Sequence, residues 1–157
     1  MESKILITSR SFGQINDLPE KILKNAGYKV EYYNENFNEE EFARRVRGCE
    51  AIVIGGHKFS EEVLRECKDL KLKCKHGAGV DNIPLKAAGE LGIHVCNAPG
   101  TNADAVADLT FGLILDLSRK ISLTQQYVRQ GQWRTMIGND VCHKTLGLVG
   151  FGAIAEK

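Results

Sequence analysis

Five short apolar runs, separated by amphipathic stretches, constrain this chain more than any other feature. They are Lys4 to Thr8, Tyr28 to Tyr33, Ala51 to Ile54, Leu70 to Lys75 and Ile93 to Cys96. Each has the length of a strand, and the segments between them have the length and pattern of helices. Pro19 stands where a helix would open and Gly27 just past its end, since proline suits a first turn and glycine a left-handed exit. Glu39 to Val46 reads as a second helix. Ser60 can cap a third, from Glu61 to Cys67, and Pro84 opens a fourth that closes near Gly92. This alternation predicts an α/β fold, a parallel sheet with helices on both faces, complete as one small domain by about residue 97. Leu70 to Lys75 alternates apolar and charged residues, which predicts a strand near a sheet edge.

A turn-rich hinge, Asn97-Ala98-Pro99-Gly100-Thr101-Asn102, follows. Asn102 is expected to cap a long helix, with Asp104 near its positive end. Val106, Leu109, Leu113 and Leu117 recur at spacings of three and four, forming an apolar stripe suited to a core or a dimer interface. A shorter helix is expected from Ser122 to Gln130.

Leu146 to Val149 reads as a new apolar strand, running into Gly150-Phe151-Gly152-Ala153-Ile154-Ala155. A Gly-x-Gly-x-x-Ala turn between strand and helix is a dinucleotide-binding pattern. Gly150 allows the tight turn, Gly152 lets a pyrophosphate approach the backbone, and Ala155 lets helix pack on strand. Free N–H groups at the helix start favour phosphate. Gly150, Gly152, Ala153 and Ile154 are therefore the expected cofactor contacts. The acidic residue that would grip the adenosine ribose belongs about 20 residues further on. It falls past Lys157, so the spacing leaves both NAD and NADP open.

Composition narrows the partners. The chain has 21 basic and 20 acidic residues, a net charge of +1. That balance calls for neither nucleic acid nor an anionic membrane. No apolar run approaches the roughly 20 residues that cross a bilayer, and the N-terminus lacks the pattern of a secretory signal. The five cysteines, Cys49, Cys67, Cys74, Cys96 and Cys142, are odd in number and lack CxxC spacing. Neither a zinc site nor a disulfide framework is expected. They read as small apolar packing groups in a reducing cytoplasm. His57, His94 and His143 have no acidic or serine partner at recognisable spacing and read as surface or structural.

The most specific segment is KHGAGVDNIPLKAAGELGIHVCNAPGTNADAVAD, from Lys75 to Asp108. Its Gly77-x-Gly79-x-Asp81-Asn82-Ile83, Asn97-x-Pro99-Gly100-x-Asn102 and Val106-Ala107-Asp108 motifs resemble the D-2-hydroxyacid dehydrogenase family, and within it the phosphoglycerate dehydrogenase branch. Gly131-x-Trp133 and Lys144-Thr145-Leu146-Gly147 continue the match in order. The resemblance implies that residues 1–99 form a flavodoxin-like substrate domain. Residues 100–157 would begin an NAD-binding Rossmann domain, incomplete here. It implies that Gly77, Ala78 and Gly79 offer backbone N–H groups to a substrate carboxylate, with Ala78 also touching the nicotinamide end of the cofactor. Asp81 and Asn82 would hold that loop, and His76 would line it rather than catalyse.

The implied reaction moves a hydride between C2 of a 2-hydroxy or 2-oxo acid and the nicotinamide. The family's histidine, acid and arginine lie later in the cofactor domain, so no catalytic residue is assigned. The chain is expected to be an N-terminal portion, inactive alone, from a cytoplasmic homodimer. Asp108 stands where the family usually has glutamate, Pro84 where it often has aspartate, and His143 where it usually has glycine. Ile54-Gly55-Gly56 offers no arginine for a substrate phosphate. Two other readings differ in class. A receiver-like signalling domain would need acidic residues where Thr8-Ser9-Arg10 and Gly55-Gly56 stand. A non-catalytic NAD-binding corepressor relative would be marked by a partner-peptide groove on the first domain.

Overall fold

The apolar run after the N-terminus becomes β1 (Lys4–Ile7), the strand around which a five-stranded sheet is organised. In this computed structural model residues 3–34, 36 and 38–157 are described. The chain divides into two compact units, Met1–Pro99 and Gly100–Lys157.

In the first unit β1 is followed by α1 (Leu18–Asn25), β2 (Lys29–Tyr32), α2 (Glu39–Val46) and β3 (Cys49–Ile54). Then come α3 (Glu61–Glu66), β4 (Leu72–Lys75), α4 (Leu85–Glu90) and β5 (His94–Cys96). All pairings are parallel, in the order β2-β1-β3-β4-β5. This is the flavodoxin-like order, with its reversal point between β1 and β3. Local chemistry sets the helix starts. Asn38 accepts the Glu41 N–H at 2.9 Å, and Ser60 accepts the Val63 N–H at 3.4 Å.

Alternate residues of each strand feed opposite faces of the sheet. Leu6, Ile52 and Ile54 pack with Phe42 and Val46 of α2, Leu64 of α3 and Ala88 of α4. Ile5, Ile7, Ala51 and Val53 face the other way, toward Leu23 of α1 and Tyr28. Each large side chain fully buried in this way contributes about 1.5–3 kcal/mol. Helices therefore cover both faces, as the alternation predicts.

β4 lies between β3 and the edge strand β5, near the sheet edge as expected. Its alternation is inverted, however, since Lys73 is 0% exposed while Leu72 is 38% exposed. Register explains this: Lys73 pairs with Ile52 and so must point to the face that Ile52 points to. The cysteines divide as well. Cys49 and Cys67 are buried, and burial raises both thiols, Cys67 to about 11. Cys96 and Cys142 are exposed, so the expectation that every cysteine packs inside fails for these two.

The second unit opens with α5 (Ala103–Arg119) and α6 (Ile121–Arg129). Asn102 occupies the N-cap position of α5, but its side chain makes no capping bond. Lys120 joins the two helices in a left-handed conformation, φ 55°. Asp116 caps α6 from a distance, accepting the Ser122 N–H at 2.6 Å and the Ser122 hydroxyl at 2.7 Å. Leu109, Leu113 and Leu117 of the stripe are exposed.

From Gln130 onward the backbone forms turns and irregular segments. The strand expected at Leu146 to Val149 is not formed, and these residues are exposed. A strand needs a neighbour to satisfy its backbone groups, and the described residues of this unit provide none. The glycine turn retains part of its expected character. Gly150 has φ 92°, and the Ala155 and Glu156 N–H groups bond to the Gly152 carbonyl at 2.8 and 3.2 Å. One turn forms where a helix was expected.

Candidate ligand site at the carboxyl ends of the strands

Ligands of open α/β sheets bind outside the carboxyl ends of the strands, where the strand order reverses. The first unit has a cavity of about 430 Å³ at that place. Its walls come from the segments after β1, β3 and β4, including Arg10, Ser11, Gly55, His57, Lys75 and His76. The loops are anchored by ladder bonds that run on past the strands. Thr8 N–H bonds to the Val53 carbonyl at 2.8 Å, and His76 N–H to the Ile54 carbonyl at 2.9 Å.

Two side-chain networks shape the walls. Ser9, buried, lies 2.6 Å from His76 Nδ1 through its hydroxyl, and Ser11 lies 3.4 Å from the same nitrogen. The Phe12 ring meets the His76 imidazole edge-on, with centroids 5.8 Å apart. The second network ties the loop after β3 to the loop after β4. Asn82 Nδ2 donates to the Gly55 and His57 carbonyls at 3.1 and 2.6 Å. Lys75 Nζ donates to the Gly55 carbonyl at 2.7 Å and to Asn82 Oδ1 at 2.9 Å. Gly55 matters through close approach, because a Cβ there would stand 3.2 Å from Ser9 Cα.

The electrostatics are one-signed. Among the described residues no carboxylate lines the cavity, whereas Arg10 and Lys75 do. Burial, and then the Arg10 charge, hold the His57 imidazole below its ordinary value. His57 is a half-buried lining residue, which fits the structural side of its surface-or-structural reading. His76 matches its reading as a polar lining group, and His94 and His143 are exposed.

The Gly77-Ala78-Gly79 loop continues directly from His76. Gly77 has φ 145°, a backbone region that favours glycine. Its N–H bonds to the Lys75 carbonyl at 2.9 Å, and its carbonyl accepts the Ala98 N–H at 3.0 Å. Asn97 Nδ2 holds the Ala78 carbonyl at 2.7 Å. Gly77 thus spends its donor within the loop, which leaves Ala78 and Gly79 as the residues whose N–H groups can meet a ligand. Of the two residues expected to hold this loop, Asn82 does so through the network above, whereas Asp81 is exposed. What sequence reasoning missed is the pairing of Ser9 with His76 and the presence of Arg10 and His57 in one wall. Only the strand order brings these distant segments together.

A larger depression of about 760 Å³ lies between α2 and α3. Arg44 pairs with Glu41 at 2.7 Å and Arg47 with Glu66 at 2.5 Å, while Glu39, Glu40 and Glu62 line it as well. Its lining is net acidic and shares no residue with the cavity at the strand ends. Among the described residues, no group of three or more histidine, cysteine, aspartate or glutamate side chains could hold a metal ion. No helix among them is long and apolar enough to cross a membrane.

Comparison with known proteins decides the family. Residues 5–146 match the D-isomer specific 2-hydroxyacid dehydrogenase, catalytic domain. The chain belongs to this dehydrogenase family. Among curated relatives of the 2-hydroxyacid dehydrogenases, human D-3-phosphoglycerate dehydrogenase is 32% identical over 140 residues, 87% of this chain and 26% of the relative. Hydroxypyruvate reductase of Thermotoga maritima is 32% identical over 132 residues, 82% of this chain and 43% of the relative. The chain thus spans between a quarter and a half of the length of these relatives. Among solved structures, the NAD+-bound 3-phosphoglycerate dehydrogenase of Entamoeba histolytica superposes with a TM-score of 0.82 at 25% identity, covering 99% of this chain and 49% of that one.

Proposed function

We propose that this chain is the substrate-binding part, and the first segment of the cofactor-binding part, of an NAD-dependent oxidoreductase acting on the CH–OH group of a D-2-hydroxy acid. The observation that carries this reading is the loop at Gly77, Ala78 and Gly79. Its Ala78 and Gly79 N–H groups stand at the carboxyl end of β4, beside the cavity at the strand-order reversal. Adjacent backbone donors in such a turn suit a carboxylate. Gly77 would set the loop's conformation and Ala78 would border the nicotinamide.

The residues of the glycine turn fit the pyrophosphate of NAD. Gly150 has a positive φ, and a Cβ at Gly150 or Gly152 would meet nothing within 4 Å. Gly150, Gly152, Ala153 and Ile154 would hold the phosphates through backbone N–H groups. NAD, once bound, would accept or supply the hydride. A relative of known structure binds NAD+. The exposed Leu109, Leu113 and Leu117 support assembly as a homodimer. The free cysteines support a cytoplasmic setting.

The test is titration of the 157-residue chain with D-glycerate and L-glycerate, followed by amide NMR signals. D-glycerate is expected to shift Ala78 and Gly79, and Ala78→Pro, which removes one donor, to weaken binding about tenfold. The chain alone is expected to bind without transferring hydride. Shifts confined to other regions would sink the reading.

A further inference from the structure

We propose that Cys74 and Cys96 are a redox pair, which peroxide closes into a reversible disulfide that ties together the two segments carrying the Gly77-Ala78-Gly79 loop. This modification site goes beyond the ligand chemistry proposed above, and its closure is read without any substrate.

In the sequence these two cysteines share no motif spacing. The sheet makes them neighbours, because β4 and β5 run parallel with Cys74 directly opposite Cys96. Adjacent strands lie about 4.8 Å apart and opposed residues point to the same face. That separation falls within the roughly 4.4–6.8 Å between Cα atoms that a disulfide bridges. Cys74 is half-buried beside the cluster of Ile5, Ile7, Ala51 and Val53. Cys96, on the edge strand, is exposed. Burial, and then a hydrogen bond with the Cys96 thiol, push the Cys74 thiol up to about 11. The other cysteines differ. Cys49 and Cys67 are buried, and their thiols donate to the Arg45 and Val63 carbonyls at 3.2 and 3.0 Å. Cys142 is exposed and lies outside the sheet.

The accessible thiol is attacked first. The Cys96 thiolate takes one peroxide oxygen as the O–O bond breaks, and the other leaves as hydroxide, which becomes water with the Cys96 proton. The Cys74 sulfur then attacks the Cys96 sulfur, the S–O bond breaks, and a second water leaves with the Cys74 proton. The two thiols lose two electrons and the peroxide gains them. A small thiol reverses the step by exchange, as suits a transient disulfide in a reducing compartment. The chain beyond each cysteine carries the loop. Cys74 leads into Gly77, whose carbonyl accepts the Ala98 N–H at 3.0 Å. Cys96 leads into Asn97, whose Nδ2 holds the Ala78 carbonyl at 2.7 Å. A covalent link just before these bonds restricts the opening of the loop.

The experiment treats the 157-residue chain and its Cys142→Ser variant, which lacks the other exposed thiol, with hydrogen peroxide and then with dithiothreitol. Intact mass, peptide mapping and amide exchange are followed. Cys142→Ser should lose the mass of two hydrogens and yield one linked pair of peptides, holding Cys74 and Cys96. The Ala98 N–H should exchange about tenfold more slowly once the link has formed, and dithiothreitol should reverse all of these changes. Cys74→Ser, with its fold checked by its amide spectrum, should stop at a Cys96 sulfenic acid that dimedone traps. Thiols that stay reduced, a bond from Cys96 to Cys142 or to a second copy of the chain, or a Cys96 sulfenic acid that never closes in the parent would each overturn the inference. A Cys74–Cys96 bond that leaves Ala98 exchange unchanged overturns it as well, since the link then does not govern the loop. The hydroxy-acid reading stands or falls separately, on the glycerate titration.

Discussion

The Lys73 ammonium nitrogen stands 3.6 Å above the centroid of the Phe59 ring, inside the core and without a hydrogen-bond partner among the described residues. Burial pushes this lysine down to about 7 from its ordinary 10.5. The ring face offsets part of the desolvation cost, by about 0.5–2 kcal/mol.

This arrangement makes stability depend on pH. Between about 10.5 and 7 the unfolded chain holds a proton on Lys73 that the folded chain gives up. Stability therefore falls as pH falls through that window, and the penalty is full below about 7. Lys73→Met should raise stability at pH 7 by about 2–4 kcal/mol and flatten the pH profile. Urea unfolding of both proteins at pH 7 and pH 10 checks this, and parallel profiles would count against it.

Gly55 is confined by Ser9. A methyl group added there would stand 3.2 Å from Ser9 Cα, which is backbone and cannot swing aside. Gly55→Ala is expected to cost about 1–2 kcal/mol and to disturb the His76 imidazole signal by moving Ser9. An unchanged His76 resonance would show that the two strand ends are not tightly coupled.

Asn82 supports two loops with one side chain. Asn82→Ala leaves the His57 carbonyl and the Lys75 ammonium short of partners, at a cost of about 1–3 kcal/mol. Hydrogen exchange should quicken at residues 55–57 and 75–79 but stay slow in β1. Uniform acceleration across the sheet would mean that Asn82 acts globally rather than on the loops.

Asp116 holds the start of α6 through Ser122, and those bonds hold its carboxyl below the ordinary value. The contribution is present above the unfolded value near 3.9 and is lost as pH falls through the lower folded value. Asp116→Ala should loosen the amides of Ile121 to Thr124 at neutral pH, as acidification does in the parent. Amide exchange in α6 measures both.

The sequence conveyed the sheet more fully than the site. The AIVI run at Ala51 to Ile54 could only be a buried strand, and Ser60 and Pro84 mark helix starts through local chemistry that needs no tertiary knowledge. Lys73 was not legible, because an alternating strand can face either way until its neighbour sets the register. The strand expected at Leu146 to Val149 failed for the complementary reason, since apolar content alone does not make a ladder. The Gly77 to Gly79 loop stood out as a motif. Arg10 and His57 did not, because they join the cavity only through the order β2-β1-β3-β4-β5.

That order has a consequence for how such a protein can diversify. The cavity wall is hung from the tips of three neighbouring strands whose interiors are packed by other residues. Arg10, Ser11 and Gln14, exposed on that wall, can therefore vary while the scaffold beneath is left alone. The lining of that wall becomes a removable part, open to grafting between relatives or to drift within a lineage, at little cost to folding.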